Sequence, residues 1–145
     1  MSTSLALRVV HVVGALVWVG GMLFVALVFI PVTRRLEDAD LRRRLITEIG
    51  MRFRTVGWVA VGLLILSGLG NLWLRPELLA APRLQVKLGL VVLALILSAL
   101  HDFVLGPRAG RFDARPRARG RASWLARGNL LAALAIVALG LALRG

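Results

Sequence analysis

The sequence predicts an all-α integral membrane fold: a four-helix up-down bundle with both termini on the outer (periplasmic) side. Three observations predict it. Hydrophobic residues make up 59% of the 145 positions and the mean hydropathy is +0.82. The formal net charge is nevertheless +12, from 19 Lys and Arg against 7 Asp and Glu. Charge and apolar runs also alternate along the chain rather than mixing. A soluble domain of this size has too few polar residues here to clothe its outer helix faces. The same composition excludes a disordered chain. With no Cys, disulfides, thiol nucleophiles and Cys-held zinc are excluded as well, and the redox compartment is left open.

Each span follows from where charge is missing. Val9 to Thr33 carries no formally charged side chain, and a bilayer needs about 20 apolar residues, so the first span covers 8–33. It reads as retained rather than cleaved: only Arg8 precedes the apolar run, the run is too long for a signal peptide, and no small-x-small cleavage pattern precedes Pro31. Residues 34–54 hold seven Arg and four acids and are expected to form a loop. Residues 55–75 form the second span, stopped by Arg75-Pro76. The third covers 84–106, apolar except for Gln85, Lys87, Ser98, His101 and Asp102, and ends at Pro107. A second loop, 107–123, holds six Arg and the breakers Gly110, Pro116 and Gly120. The fourth span is 124–143, with Arg127 snorkelling from its first turn. The whole chain, 1–145, reads as one transmembrane domain.

Orientation follows from the 14 Lys and Arg in 34–54 and 107–127, against Arg8, Arg75, Arg83, Lys87 and Arg144 on the other side. The positive-inside rule puts both basic loops in the cytoplasm of a bacterial inner (plasma) membrane. No aromatic interleaving accompanies the arginines, so anionic lipid rather than nucleic acid is their expected partner. Gly14, Ala15, Gly20 and Gly21 in the first span, and Gly62, Gly68 and Gly70 in the second, are expected to bring backbones close.

Any chemistry is expected at ionisable residues inside the membrane, where they are costly. His11 lies on a helical stripe with Gly14, Ala15, Trp18 and Met22. The second span returns Ser67 and Asn71 to the same outer layer, and Lys87 enters there too. A second layer holds His101 and Asp102 with Ser98, and Asn129, Trp58 and Thr55 are its expected companions. Structural roles are open beside the functional ones: His11 could bond a helix carbonyl or Asn71, Lys87 could be an interface anchor, and Asp102 could pair with Arg54 or Arg108. By helical rise His11 and His101 differ in depth by roughly 15–20 Å, too far for one haem iron to take both. Met1, Met22 and Met51 are too few and scattered for a methionine copper track.

The stretch LRVVHVVGALVWVGGMLFVALVFIPVTR over 7–34 resembles the first helix of CopD-type (copper resistance protein D) membrane proteins. RFRTVGWVAVGLLILSGLGNLW over 52–73 and KLGLVVLALILSALHDFVLGPR over 87–108 are similar to the helices that follow. His11, Trp18, Gly20-Gly21, Gly57-Trp58, Lys87 and Gly106-Pro107-Arg108 carry the resemblance, which spans nearly the whole chain. It implies a four-helix inner-membrane protein of copper transport or handling. His11 would bind a copper ion from outside, Ser67 and Asn71 would shape the layer, and His101 with Asp102 would form an exit or proton site. A homo-oligomer or a periplasmic copper protein would be its protein partner. The related HemJ proteins, with a His in the first helix and a Lys early in the third, imply an alternative: haem b on His11, with Lys87 as second ligand, propionate partner or proton donor. The first reading is not an enzyme; the second is a haem-dependent oxidoreductase.

Overall fold

The computed structural model describes residues 3–105 and 116–142. Among them every regular element is helical, and four helices are long and apolar enough to cross a membrane. We label them α1 (Thr3–Thr33), α2 (Ala39–Leu74), α3 (Pro82–Leu105) and α4 (Pro116–Ala142). The chain divides into two compact units, Met1–Leu79 and Ala80–Gly145. One holds α1 with α2, the other α3 with α4.

The largest departure from the sequence reading is in 34–54. The expected loop is only Arg34 to Asp38, and the basic stretch from Ala39 onward is the first half of a 36-residue helix. Asp38 starts it: its side chain accepts from the backbone N–H of Asp40 at 2.8 Å and of Leu41 at 3.0 Å, filling two of the donors that a helix start leaves open. Leu41, Leu45, Ile49 and Phe53 then recur every fourth residue, a helical period that the arginines between them mask. From Arg54 to Arg75 the helix rises by about 32 Å, close to the ~30 Å hydrocarbon core. The preceding half, Ala39 to Phe53, carries the arginines and lies beside the uncharged Met22–Thr33 stretch of α1, since Phe53 meets Gly21.

α1 and α3 each contain a π-helical stretch, Val25–Phe29 and Leu100–Leu105. In both the sequence places a proline two residues further on, Pro31 and Pro107. Proline lacks an N–H and crowds the carbonyl four residues back, and in α1, which runs on to Thr33, a wider turn relieves that conflict without ending the helix. In α1 the Ile30 N–H reaches the Val25 carbonyl, the five-residue spacing of a π turn. Gly106-Pro107-Arg108, the first part of the expected second loop (107–115) and the chain ends lie outside the described residues; from Pro116 that loop is already helix.

Inside the first unit α1 and α2 run antiparallel, and the contacts alternate glycine with a bulky side chain. A Cβ on Gly70 would meet Leu7 at 3.0 Å, and one on Gly68 would meet the His11 ring at 3.5 Å. On Gly14 it would lie 3.2 Å from Leu64 and 3.3 Å from the Ala60 carbonyl oxygen; on Gly57, 3.8 Å from Trp18. Gly21 faces the Phe53 ring with no room for a Cβ. Without a hydrophobic force between helices in lipid, such fitted close approach is what holds them. Gly20 and Gly62, also expected to serve this packing, have nothing within 4 Å of a Cβ: the helical turn points them away from the partner.

The second unit uses alanine in the same role. Ala94 and Ala133 are fully buried and Ala132 nearly so. Leucines such as Leu66, Leu16 and Leu131 face outward, where lipid is their solvent.

Two predictions follow from this packing. Gly14→Val should lower hairpin stability by roughly 1–3 kcal/mol through overpacking, whereas Gly62→Ala should be neutral or raise it by about 0.5–1 kcal/mol through helix propensity; reversible unfolding in mixed micelles measures both. The second concerns Asp38, whose carboxyl is held below its usual range, first by the Leu41 N–H and then by the Asp40 N–H. A lowered native value means that the cap is complete above the ordinary carboxylate range and is lost as pH falls through the lowered value. Amide exchange at Asp40 and Leu41 should therefore accelerate on acidification beyond its intrinsic trend, and Asp38→Ala should remove that response.

Candidate functional site

The first polar layer is built across the α1–α2 interface. His11 Nδ1 lies 2.9 Å from Ser67 Oγ. Ser67 is buried at 2% exposure, and its hydroxyl donates to the Leu63 carbonyl at 2.6 Å, with the Leu64 carbonyl at 3.3 Å. A hydroxyl has one hydrogen, and this one goes to the backbone. His11 Nδ1–H must then be the donor to Ser67, a tautomer assigned by the network around it. A neutral imidazole in that state carries its lone pair on Nε2, the arrangement usual in histidines that hold a metal.

Gly68 supplies the floor under the His11 ring. One turn along, Asn71 Nδ2 donates to the Ser67 carbonyl at 2.8 Å. Asn71 thus supports the segment that bears Ser67, and His11 bonds Ser67 rather than Asn71. Trp18 is buried at 9% exposure two turns deeper, with Gly57 beneath its ring, and serves the helix contact.

The second unit carries the remaining candidates. Lys87 lies across Gly140 of α4: Nζ is 3.2 Å and Cε 3.8 Å from where a Gly140 Cβ would stand. Further along α3, Asn129 Nδ2 donates to Ser98 Oγ at 2.8 Å, and both residues are buried. His101 Nδ1 meets the Asp102 carboxylate at 2.9 Å. Neighbouring residues on an α-helix do not face each other; the wider π winding turns successive side chains through a smaller angle and lets this pair meet. Thr55 donates to its own helix, to the Met51 carbonyl at 3.3 Å. At the start of the fourth apolar stretch the Arg127 guanidinium sits 5.3 Å from the Trp124 ring centroid, an anchor at headgroup depth.

The structure thus joins His11 to Ser67, with Asn71 beside them, and joins His101 to Asp102 and Ser98 to Asn129. It places Lys87 in the second unit. Among the described residues no three His, Asp or Glu side chains gather as a metal-holding group. Sequence reasoning missed Gly140 as the slot for Lys87 and gave Gly68 only a packing role. The available signal was antiparallel register: Leu97 against Gly128 and Ser98 against Asn129 fix a pairing that puts Gly140 opposite Lys87.

Fold and site together define a multi-pass helical membrane protein with polar layers set inside its spans. Residues 47–143 match the family of copper resistance protein D (CopD), and the chain belongs to that family. An uncharacterized protein of Aquifex aeolicus (strain VF5) is 35% identical over 135 residues, which cover 92% of this chain and 90% of that protein. No solved structure matches. The matched region holds α3, α4 and most of α2; His11 precedes it.

Ser67→Ala removes the acceptor that fixes the His11 ring at a net cost of about 1 kcal/mol. In histidine-labelled protein, nitrogen NMR should show Nδ1–H as the dominant His11 form, and a mixture of tautomers in the Ser67→Ala variant.

Proposed function

We propose that the protein handles copper in the bacterial inner membrane, with His11 as the first ligand of an ion entering from the periplasmic side. The observation that carries this reading is the relay from His11 Nδ1 through Ser67 to the Leu63 carbonyl. It orients one imidazole inside an apolar span and directs its lone pair to Nε2, and imidazole nitrogen is a good donor to copper. Membership of the copper resistance protein D family supports the choice of metal.

Charge favours the monovalent ion. The cost of bringing an ion out of water rises with the square of its charge, and His11, Ser67 and Asn71 include no carboxylate to offset a second charge. A single oriented imidazole also suits passage, because an ion in transit must be bound weakly enough to leave. His101 with Asp102 is then the second station, an exit or proton site: the carboxylate orients that imidazole as Ser67 orients His11.

His11→Ala should abolish stoichiometric copper(I) binding by the purified protein, and lower copper movement across vesicles containing it at least tenfold, while the protein still inserts. His101→Ala should leave first binding intact and slow release. An absorption spectrum separates the haem alternative: a Soret band in the purified protein that disappears in His11→Ala would replace the copper reading.

A further inference from the structure

The first unit has a groove between α1 and α2 with a volume of about 280 Å³, lined by Val13, Gly14, Val17, Val56, Val59 and Leu63 among others. Its position along the helices sets what can fill it. The lining on α2 begins at Thr55, directly after Arg54, and ends at Leu63. That length is about 12 Å, most of the ~15 Å depth of one leaflet. The groove therefore begins beside the arginines of α2 and ends about 12 Å further along the helix pair.

Its walls are preformed. Four of the lining residues are valines, whose branched Cβ fixes χ1, and the floor is the close helix crossing at Gly14. Thr55, the one polar lining residue, spends its hydroxyl on the Met51 carbonyl at 3.3 Å. The groove thus presents no polar group that needs a partner, and a hydrocarbon chain can enter without ordering flexible side chains.

The mouth carries the charge. Arg52 precedes Thr55 and Val56 by three and four residues, the spacing that puts it on the same face of α2, and it is exposed. A guanidinium offers two parallel donors to a phosphate. Below it the helix carries Arg42, Arg43 and Arg44 against Asp40, which lies 3.9 Å from Arg43, and Glu48, one turn before Arg52, so the surplus charge near the mouth is positive.

We propose that this groove binds one anionic phospholipid of the phosphatidylglycerol type, with an acyl chain along Val59 and Leu63 and the phosphodiester on Arg52. A zwitterionic lipid meets the same walls, but its own cation faces the arginines. Apolar fit therefore gives occupancy, and Arg52 gives selectivity.

The test is native mass spectrometry of the full chain released from micelles containing equimolar dioleoyl phosphatidylglycerol and dioleoyl phosphatidylcholine. The wild type should retain one phosphatidylglycerol with about fivefold preference, the effect of one basic side chain near an anionic surface. Arg52→Gln should bring the ratio close to one without loss of helical signal. Val59→Trp should reduce retention of both lipids; Val59 is 61% exposed, so the larger ring burdens no core. Val56→Trp, at a 50% exposed position, is the second filling variant. Equal retention by the wild type, an unchanged preference in Arg52→Gln, or undiminished retention in both Trp variants overturns the proposal. The absence of Cys provides an independent arm: if Val59→Cys forms disulfide-linked dimers in native membranes and retains no lipid, a second copy occupies the groove and the proposal fails.

Discussion

Close approach of α1 and α2 at Gly14 is the constraint on which the first unit depends. With a Cβ there only 3.3 Å from the Ala60 carbonyl oxygen, side chain is nearly eliminated from the crossing and backbone almost touches backbone. Everything above and below inherits its register from that point. Gly57 receives Trp18, Gly68 receives His11 and Gly70 receives Leu7 because the helices can slide neither apart nor along. In water the hydrophobic effect would hold a looser pair together; in lipid only fit and hydrogen bonds discriminate one register from the next. A shift of one residue would carry Ser67 away from His11 and leave a polar group in hydrocarbon.

The polar layers follow from the same economy. Each donor inside a span must find its acceptor within the protein. Ser67 satisfies itself on its own helix and then serves as acceptor for a neighbour, which is how a single hydroxyl orients a histidine. The second unit reaches a comparable result differently. A π turn ahead of a proline brings His101 and its neighbour Asp102 within hydrogen-bond distance, so ring and carboxylate come from consecutive residues of one helix. Both π stretches lie two residues ahead of a proline in the sequence, and only the one in α3 carries ionisable side chains.

The four apolar runs were legible because bilayer thickness sets their length and arginine marks their ends. Helical rise alone assigned His11, Ser67, Asn71 and Lys87 to one depth; of these the structure joins His11, Ser67 and Asn71, while Lys87 belongs to the second unit. What stayed hidden depended on direction around the helix axis. Gly20 and Gly21 are adjacent in sequence, yet only Gly21 faces the Phe53 ring. Asn71 was an attractive partner for His11 by depth, and the side chain reached instead for the Ser67 carbonyl. The basic half of α2 read as loop because charge density drew attention from a four-residue apolar period and from a single capping aspartate. The family resemblance in the first helix pointed to copper handling before any geometry was known, and the match over 47–143 supports that family through the other three.

The unbroken length of α2 has a mechanical meaning. From Ala39 to Ser67 the rod extends by roughly 42 Å with no break in its helical hydrogen bonding. A loop over 34–54 would have let the basic segment move without Ser67. One continuous helix instead makes the arginine-bearing turns and the hydroxyl that steers the His11 ring parts of a single stiff piece.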